Sequence, residues 1–341
     1  MLHAPGSIMN QCVPPLHDLA LTICSVSFHN AHHLALNWNF TRKLNANGAN
    51  IRWIVAENTP EGGHARLSSD DERFHVIAGV TGFHRVSYHH TEALQNTLRH
   101  VRTRFLLVLD PDFYIVRDGW CDEILTHMLR HELTIFGVPW HPKYTDKFRY
   151  FPTVHCVFVD LARIDIDALD FRPCGPDEPV HDVEAESDRR PKTGVFPLAA
   201  QLFDALTLRH RRKEFRDSGT RMYTRYAHDA RIRYECAVPV YRRPQRSWRS
   251  RLIESLLPDS LCYLPKRRDS YTEKGFSEIG FGPEIPSNWE EFMWKGAPLG
   301  FHMRRNAKKV QRNEMGELDE LGKVLAALCR DTRAYGTTPD V

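Results

Sequence analysis

The sequence predicts an α/β protein built on a mixed, mainly parallel sheet flanked by helices, with an elaboration towards the C-terminus. Three observations predict it. Over residues 19–116 the pattern alternates β-α-β-loop-β-α-β, and such alternation builds a parallel sheet with right-handed crossovers. Phe105-Leu106-Leu107-Val108-Leu109 is apolar without alternation, as in a strand covered on both faces. That run ends in Asp110-Pro111-Asp112, and open α/β sheets bind ligands beyond the carboxyl ends of their strands.

In order, residues 1–18 carry adjacent prolines and no periodicity, as an irregular arm would. Leu19–Phe28 reads as the first strand, and a helix from about His32 to Asn45 follows on Leu34, Leu36, Trp38, Phe40 and Leu44, with Gly48 as its stop. Ile51–Ala56 is the second strand and Phe74–Ile77 a short third. A helix over about 88–102 leads into the Phe105 strand. Beyond the two carboxylates, Trp120–His131 has a helical apolar stripe, and Leu133–Val138 and Val154–Val159 read as strands. Residues 165–193 are rich in Asp, Pro and Arg and read as a long loop of the kind that serves as a lid. Helices are expected at 195–210, 220–228 and 317–329, and a strand at 232–240. The domain reading is an arm (1–18), an α/β core (19–241), a basic and aromatic insertion or subdomain (242–300), and a segment from 301 to 341 that returns to the core before a helix and tail.

Composition narrows the class. A net charge of +3 over 341 residues does not point to nucleic acid. Eight cysteines without a C-x-x-C pair argue against a zinc cluster and a disulfide framework, and for a reducing compartment. The N-terminus lacks a basic region followed by an apolar stretch, and no run approaches the roughly 18 apolar residues of a membrane span. The expectation is a cytoplasmic protein, soluble or peripheral at the inner membrane face. Residues 242–270 are strongly basic (among them Arg242, Arg243, Arg246, Arg249 and Arg251) with Trp248, Leu252, Leu256 and Leu257 interleaved. That pattern suits an anionic membrane surface or a lipid-linked acceptor, and equally an exposed helical face.

Asp110-Pro111-Asp112 has two readings. Asp and Pro are turn formers, and two carboxylates at i and i+2 offer hard oxygen ligands to Mg²⁺ or Mn²⁺. Histidines are abundant at 29, 32, 33, 84, 89 and 90, but no third ligand at a recognisable spacing supports a metal there.

With the strand order, Asp110-x-Asp112 and the later Asp217 in view, residues 19–241 resemble family-2-like nucleotide-sugar glycosyltransferases of the GT-A fold, whose first half is Rossmann-like. The resemblance implies a nucleotide pocket at Ser25, Val26 and Ser27, with Glu57 and Asn58 at the end of the second strand. It implies a cation, Mn²⁺ or Mg²⁺, held by Asp112 with Asp110 in support, and His302 as a later ligand. Arg304 would contact the diphosphate. Asp217 would be the general base of an inverting transfer, with Glu214 as the fallback. Arg216 stands where the family usually has a second acid, and His89-His90-Thr91 where it has glycines. The implied partners are a nucleotide-sugar donor and a glycan or lipid-linked acceptor, in surface polysaccharide synthesis. Two other classes compete. A sugar-phosphate nucleotidyltransferase needs a Gly-rich phosphate loop where this chain reads Ser27-Phe28-His29-Asn30-Ala31. A non-catalytic nucleotide- or glycan-binding protein needs only the fold.

Overall fold

The computed structural model describes residues 20–45, 50–61, 66–80, 82, 86–143, 149–174, 217–242, 271–282, 284–303 and 318–328, with 248, 252, 256 and 316. The order begins β1 (Ala20–Ser27), α1 (Ala31–Leu44), β2 (Asn50–Glu57), β3 (Phe74–Ala78), α2 (Val86–Leu98) and β4 (Phe105–Leu109), which is the predicted alternation. After β5 (Phe113–Ile115) and α3 (Trp120–Arg130) come β6 (Ile135–Gly137), β7 (Cys156–Asp160), α4 (Thr220–Tyr226), β8 (Tyr234–Cys236) and β9 (Val238–Pro239). β10 (Glu290–Trp294) and β11 (Ala297–His302) follow, then helix α5 over 318–328.

Seven strands form one sheet in the order β3-β2-β1-β4-β7-β6-β8. β1 is parallel to β2 and to β4, β2 to β3 and β6 to β8. β7 alone runs antiparallel, between β4 and β6. The sheet is therefore mixed and mainly parallel, with helices on both faces. β4 shows why its sequence does not alternate. Phe105, Leu107 and Leu109 enter the apolar layer shared with Leu34 and Trp38 of α1 and Ile124 and Leu125 of α3. Leu106 and Val108 enter the opposite layer, with Ala93 and Leu94 of α2 and Met222 of α4. Burial of each such side chain contributes about 1.5–3 kcal/mol.

A second sheet runs β5-β11-β10-β9. It was not foreseen, because β5 and β9 are too short to show a period. The hairpin at its centre turns at Lys295-Gly296, both with positive φ (50° and 72°), as a two-residue type I′ turn requires. Phe276, Trp289, Phe292 and Phe301 share an apolar cluster with β1 and β4, so residues 271–303 pack on the core, and the expected boundary after residue 300 falls inside β11. The long strand expected over 232–240 is broken into β8 and β9, which join different sheets. The helix expected over 195–210, the loop from 175 and most of 242–270 lie outside the described residues.

Candidate functional site

The strand order reverses direction at β1 and β4, the topological switch point at which α/β sheets leave a crevice. Asp110 leaves β4 at that point. Its turn is a β-turn with Pro111 at the second position, closed by Phe113 N–H to the Asp110 carbonyl at 3.0 Å. Buried Asn37 of α1 clamps it, donating to the carbonyls of Pro111 (3.3 Å) and Phe113 (2.7 Å). The turn reading and the site reading are compatible: the backbone makes the turn while the carboxylates face a group of histidines.

Three segments bring those histidines. β7 pairs with β4 so that Cys156 lies opposite Leu109, and Asp110 N–H donates to the His155 carbonyl at 3.0 Å. His155 Nδ1 lies 2.6 Å from Asp110 Oδ2. β11 pairs with β5 so that His302 lies opposite Phe113, and Met303 N–H donates to the Asp112 carbonyl at 3.0 Å. His302 Nε2 then lies 3.2 Å from Asp112 Oδ1 and 3.8 Å from Asp110 Oδ2. From α2, His90 Nε2 stands 3.7 Å from the other Asp110 oxygen. The predicted Asp110, Asp112 and His302 are thus brought together across 190 residues. His155 and His90 had not been singled out as members of the group; a histidine opening a strand was the available signal for His155.

The group is built for positive charge. Burial would lower the His302 pKa, but the Asp112 and Glu290 carboxylates outweigh it and raise the imidazole to about 10. Burial would push the Asp110 carboxyl up, and the hydrogen bond and charge of His155, with His90 and His302, hold it below the ordinary value. Asp110, His155 and His302 each offer a ligand atom within 4.8 Å of the others. One carboxylate oxygen with two imidazole nitrogens fits a divalent cation of the Mn²⁺ kind better than Mg²⁺, which prefers an all-oxygen shell.

The residues expected around a nucleotide are largely engaged within the fold. Ser25 Oγ donates to the Leu109 carbonyl (2.6 Å) and accepts from Trp53 Nε1 (2.9 Å). Glu57 accepts from Thr59 N–H on one oxygen and Leu67 N–H on the other, both at 2.7 Å. Asn58 bridges Val80 N–H and the His89 carbonyl. Val26 is packed in the layer under α2. Ser27 differs: its hydroxyl is buried at the end of β1, with no hydrogen-bond partner among the described residues.

Asp217 accepts from Ser218 N–H at 2.9 Å and opens the turn into α4. A Cβ on Gly219 would lie 3.3 Å from Val154 Cγ1, so this turn packs beside the residue preceding His155. Ser218, Gly219 and Tyr223 line a small cavity with Trp140, whose ring meets His155 edge-on at 4.6 Å. Glu214 and Arg304 lie outside the described residues.

No protein-family model matches the chain, and no curated protein matches it. Several solved structures are similar in part. They include the mannosyltransferase PcManGT from Pyrobaculum calidifontis in complex with GDP-Man and Mn²⁺, at 10% identity and TM-score 0.31 over 42% of this chain and 46% of that one. S. aureus TarS 1-349 in complex with UDP-GlcNAc matches at 10% identity and 0.31, over 45% and 48%. The galactosyltransferase LgtC in complex with donor and acceptor sugar analogs matches at 16% identity and 0.28, over 43% and 61%. The overlap spans about half the length of these structures and under half of this chain, and defines no family.

Proposed function

We propose that this chain is a metal-dependent glycosyltransferase, moving a sugar from a nucleotide-sugar donor to a glycan or lipid-linked acceptor with inversion at the anomeric carbon. The observation that carries the reading is the convergence of Asp110, Asp112, His155 and His302 at the sheet's switch point. The sequence resemblance over 19–241 supplies the reaction class.

A divalent cation bound there would neutralise the charge that builds on a departing diphosphate. The chain's own residues do the rest. Asp110, Asp112, His155 and His302 would hold the cation, and the buried Ser27 hydroxyl, without a hydrogen-bond partner among the described residues, is the β1 group that would turn to the donor. Asp217, in the turn whose Gly219 packs against Val154, takes the proton of the acceptor hydroxyl as general base, with Glu214 the fallback and Arg304 a contact for the diphosphate. Trp248, Leu252 and Leu256 recur every four residues in helical positions and are 66%, 53% and 77% exposed. With the arginines around them they support a peripheral contact with an anionic membrane face, where surface polysaccharides are assembled on lipid carriers.

Isothermal titration of UDP and GDP, with and without Mn²⁺, tests the reading. Metal-dependent binding of one of them is expected, and its loss in Asp112→Ala. Equal binding without metal, or none with it, overturns the reading.

A further inference from the structure

Glu290 does not belong to the ligand group itself, yet its side chain is wholly buried beside it. It is the first residue of β10 and lies opposite His302, the last residue of β11, so the hairpin register sets carboxylate against imidazole on one face. Glu290 Oε2 stands 3.3 Å from His302 Nδ1. Its other oxygen, Oε1, lies 3.0 Å from Lys143 Nζ. Lys143 in turn donates to the Asn288 carbonyl at 3.3 Å. A chain of polar contacts therefore runs from solvent-touching Lys143 through Glu290 to His302 and the Asp110–Asp112 turn.

We propose that Glu290 and Lys143 are positioning residues that fix His302 as a cation ligand; this rests on the reading of the Asp–His group as a metal site. An ionised carboxylate only accepts, so Glu290 keeps a hydrogen of His302 on Nδ1, and Nε2, facing Asp112, is the nitrogen that would give up its proton to a bound cation. Ligating histidines commonly take such a carboxylate partner on the ring nitrogen away from the metal, which sets ring orientation and raises ligand basicity. Stability alone does not account for the arrangement. The Glu290 side chain is wholly buried against a histidine whose ring lies 5.9 Å from that of Phe113, and an apolar residue there avoids the several kcal/mol of desolvation that a buried carboxylate incurs.

The test is Mn²⁺ titration of the full chain by calorimetry, with pulsed electron paramagnetic resonance of bound Mn²⁺ to detect the imidazole nitrogens. Wild type is expected to show coupling to two imidazoles. Glu290→Gln should weaken Mn²⁺ binding about 10–100-fold and diminish one of the two couplings, while Glu290→Asp recovers part of both. Lys143→Met, at a partly exposed position, should weaken binding with the fold intact, and decides the matter if Glu290→Gln does not fold. Wild-type affinity and both couplings retained in the variant that folds overturns the relay and leaves the metal site standing. Failure of wild type to bind Mn²⁺ removes the metal site, and the relay with it.

Discussion

His155 Nδ1 lies 2.6 Å from Asp110 Oδ2, and backbone pairing puts it there. The two residues step off the same end of the β4–β7 ladder, joined by the Asp110 N–H to His155 carbonyl bond. Had β7 run parallel to β4, this end of the sheet would have received the far end of β7 and no histidine. His155→Ala should therefore lower Mn²⁺ affinity by at least the roughly 10–100-fold that loss of a supporting partner brings, and lower the melting temperature too, because the largely buried Asp110 carboxylate loses its nearest partner. Calorimetric titration beside a thermal melt checks both parts.

The opposite end of the same ladder carries a carboxylate with another role. Asp160, paired with Phe105, is fully buried and receives both Arg104 Nε (2.9 Å) and Nη2 (2.8 Å), with Arg163 at 3.5 Å. Arg104→Ala would leave the buried Asp160 carboxylate with Arg163 alone, costing up to the roughly 3–5 kcal/mol of a broken buried pair, and should shift the denaturant midpoint by a corresponding amount. Mn²⁺ affinity of the folded fraction should stay at the wild-type value, because the change lies a strand's length from Asp110.

These two ends also mark where the sequence is legible. The alternation before residue 116 exposes the parallel half, since each crossover carries its own helix and each strand its own apolar run. Asp110 and Asp112 could be chosen because two carboxylates at the end of an apolar strand are legible locally, whereas His302 is reached only through the resemblance to a family with a later histidine ligand. The antiparallel insertion of β7 is a non-local pairing that no local pattern announces, so His155 looked like one histidine among 19. Glu290 was hidden for the same reason: the hairpin turns at Lys295-Gly296 with both φ positive, but Lys-Gly is not one of the Asn-Gly or Asp-Gly pairs that announce such a turn in sequence. Ser25 and Glu57 have pocket-like chemistry and position, but the Trp53 indole and the Leu67 amide claim them. Such contacts depend on folding partners 10 to 28 residues away.

Gly300 tests how strictly β11 sets the site. It pairs with Ile115, and an added Cβ would sit 2.4 Å from the Tyr114 carbonyl oxygen and 3.1 Å from the Ile115 Cα. Both are backbone and cannot swing aside. Gly300→Ala should push β11 off β5, displace His302 two residues on, and lower both thermal stability and Mn²⁺ affinity. A variant that melts lower but binds Mn²⁺ as wild type does would show that β11 can shift without carrying His302.

Acid sensitivity should appear at Glu235, on β8. Burial tends to raise its carboxyl pKa, but hydrogen bonds from His127 (2.9 Å) and Trp294 (3.0 Å), with the charges of His127 and His131, bring it below the ordinary value. A group whose pKa is depressed on folding adds stability above its unfolded value, about 4.3 for Glu, and that stability is lost as pH falls through the folded value. The carboxylate ties α3 to the β10–β11 hairpin through His127 and Trp294, so its protonation loosens both contacts together. Glu235→Gln keeps the shape and cannot ionise. It should therefore be less stable than wild type at pH 6, and the difference should close as the pH falls below about 4. Denaturant midpoints of the two proteins across that range measure it, and a gap that stays constant with pH would place the acid-sensitive contact elsewhere.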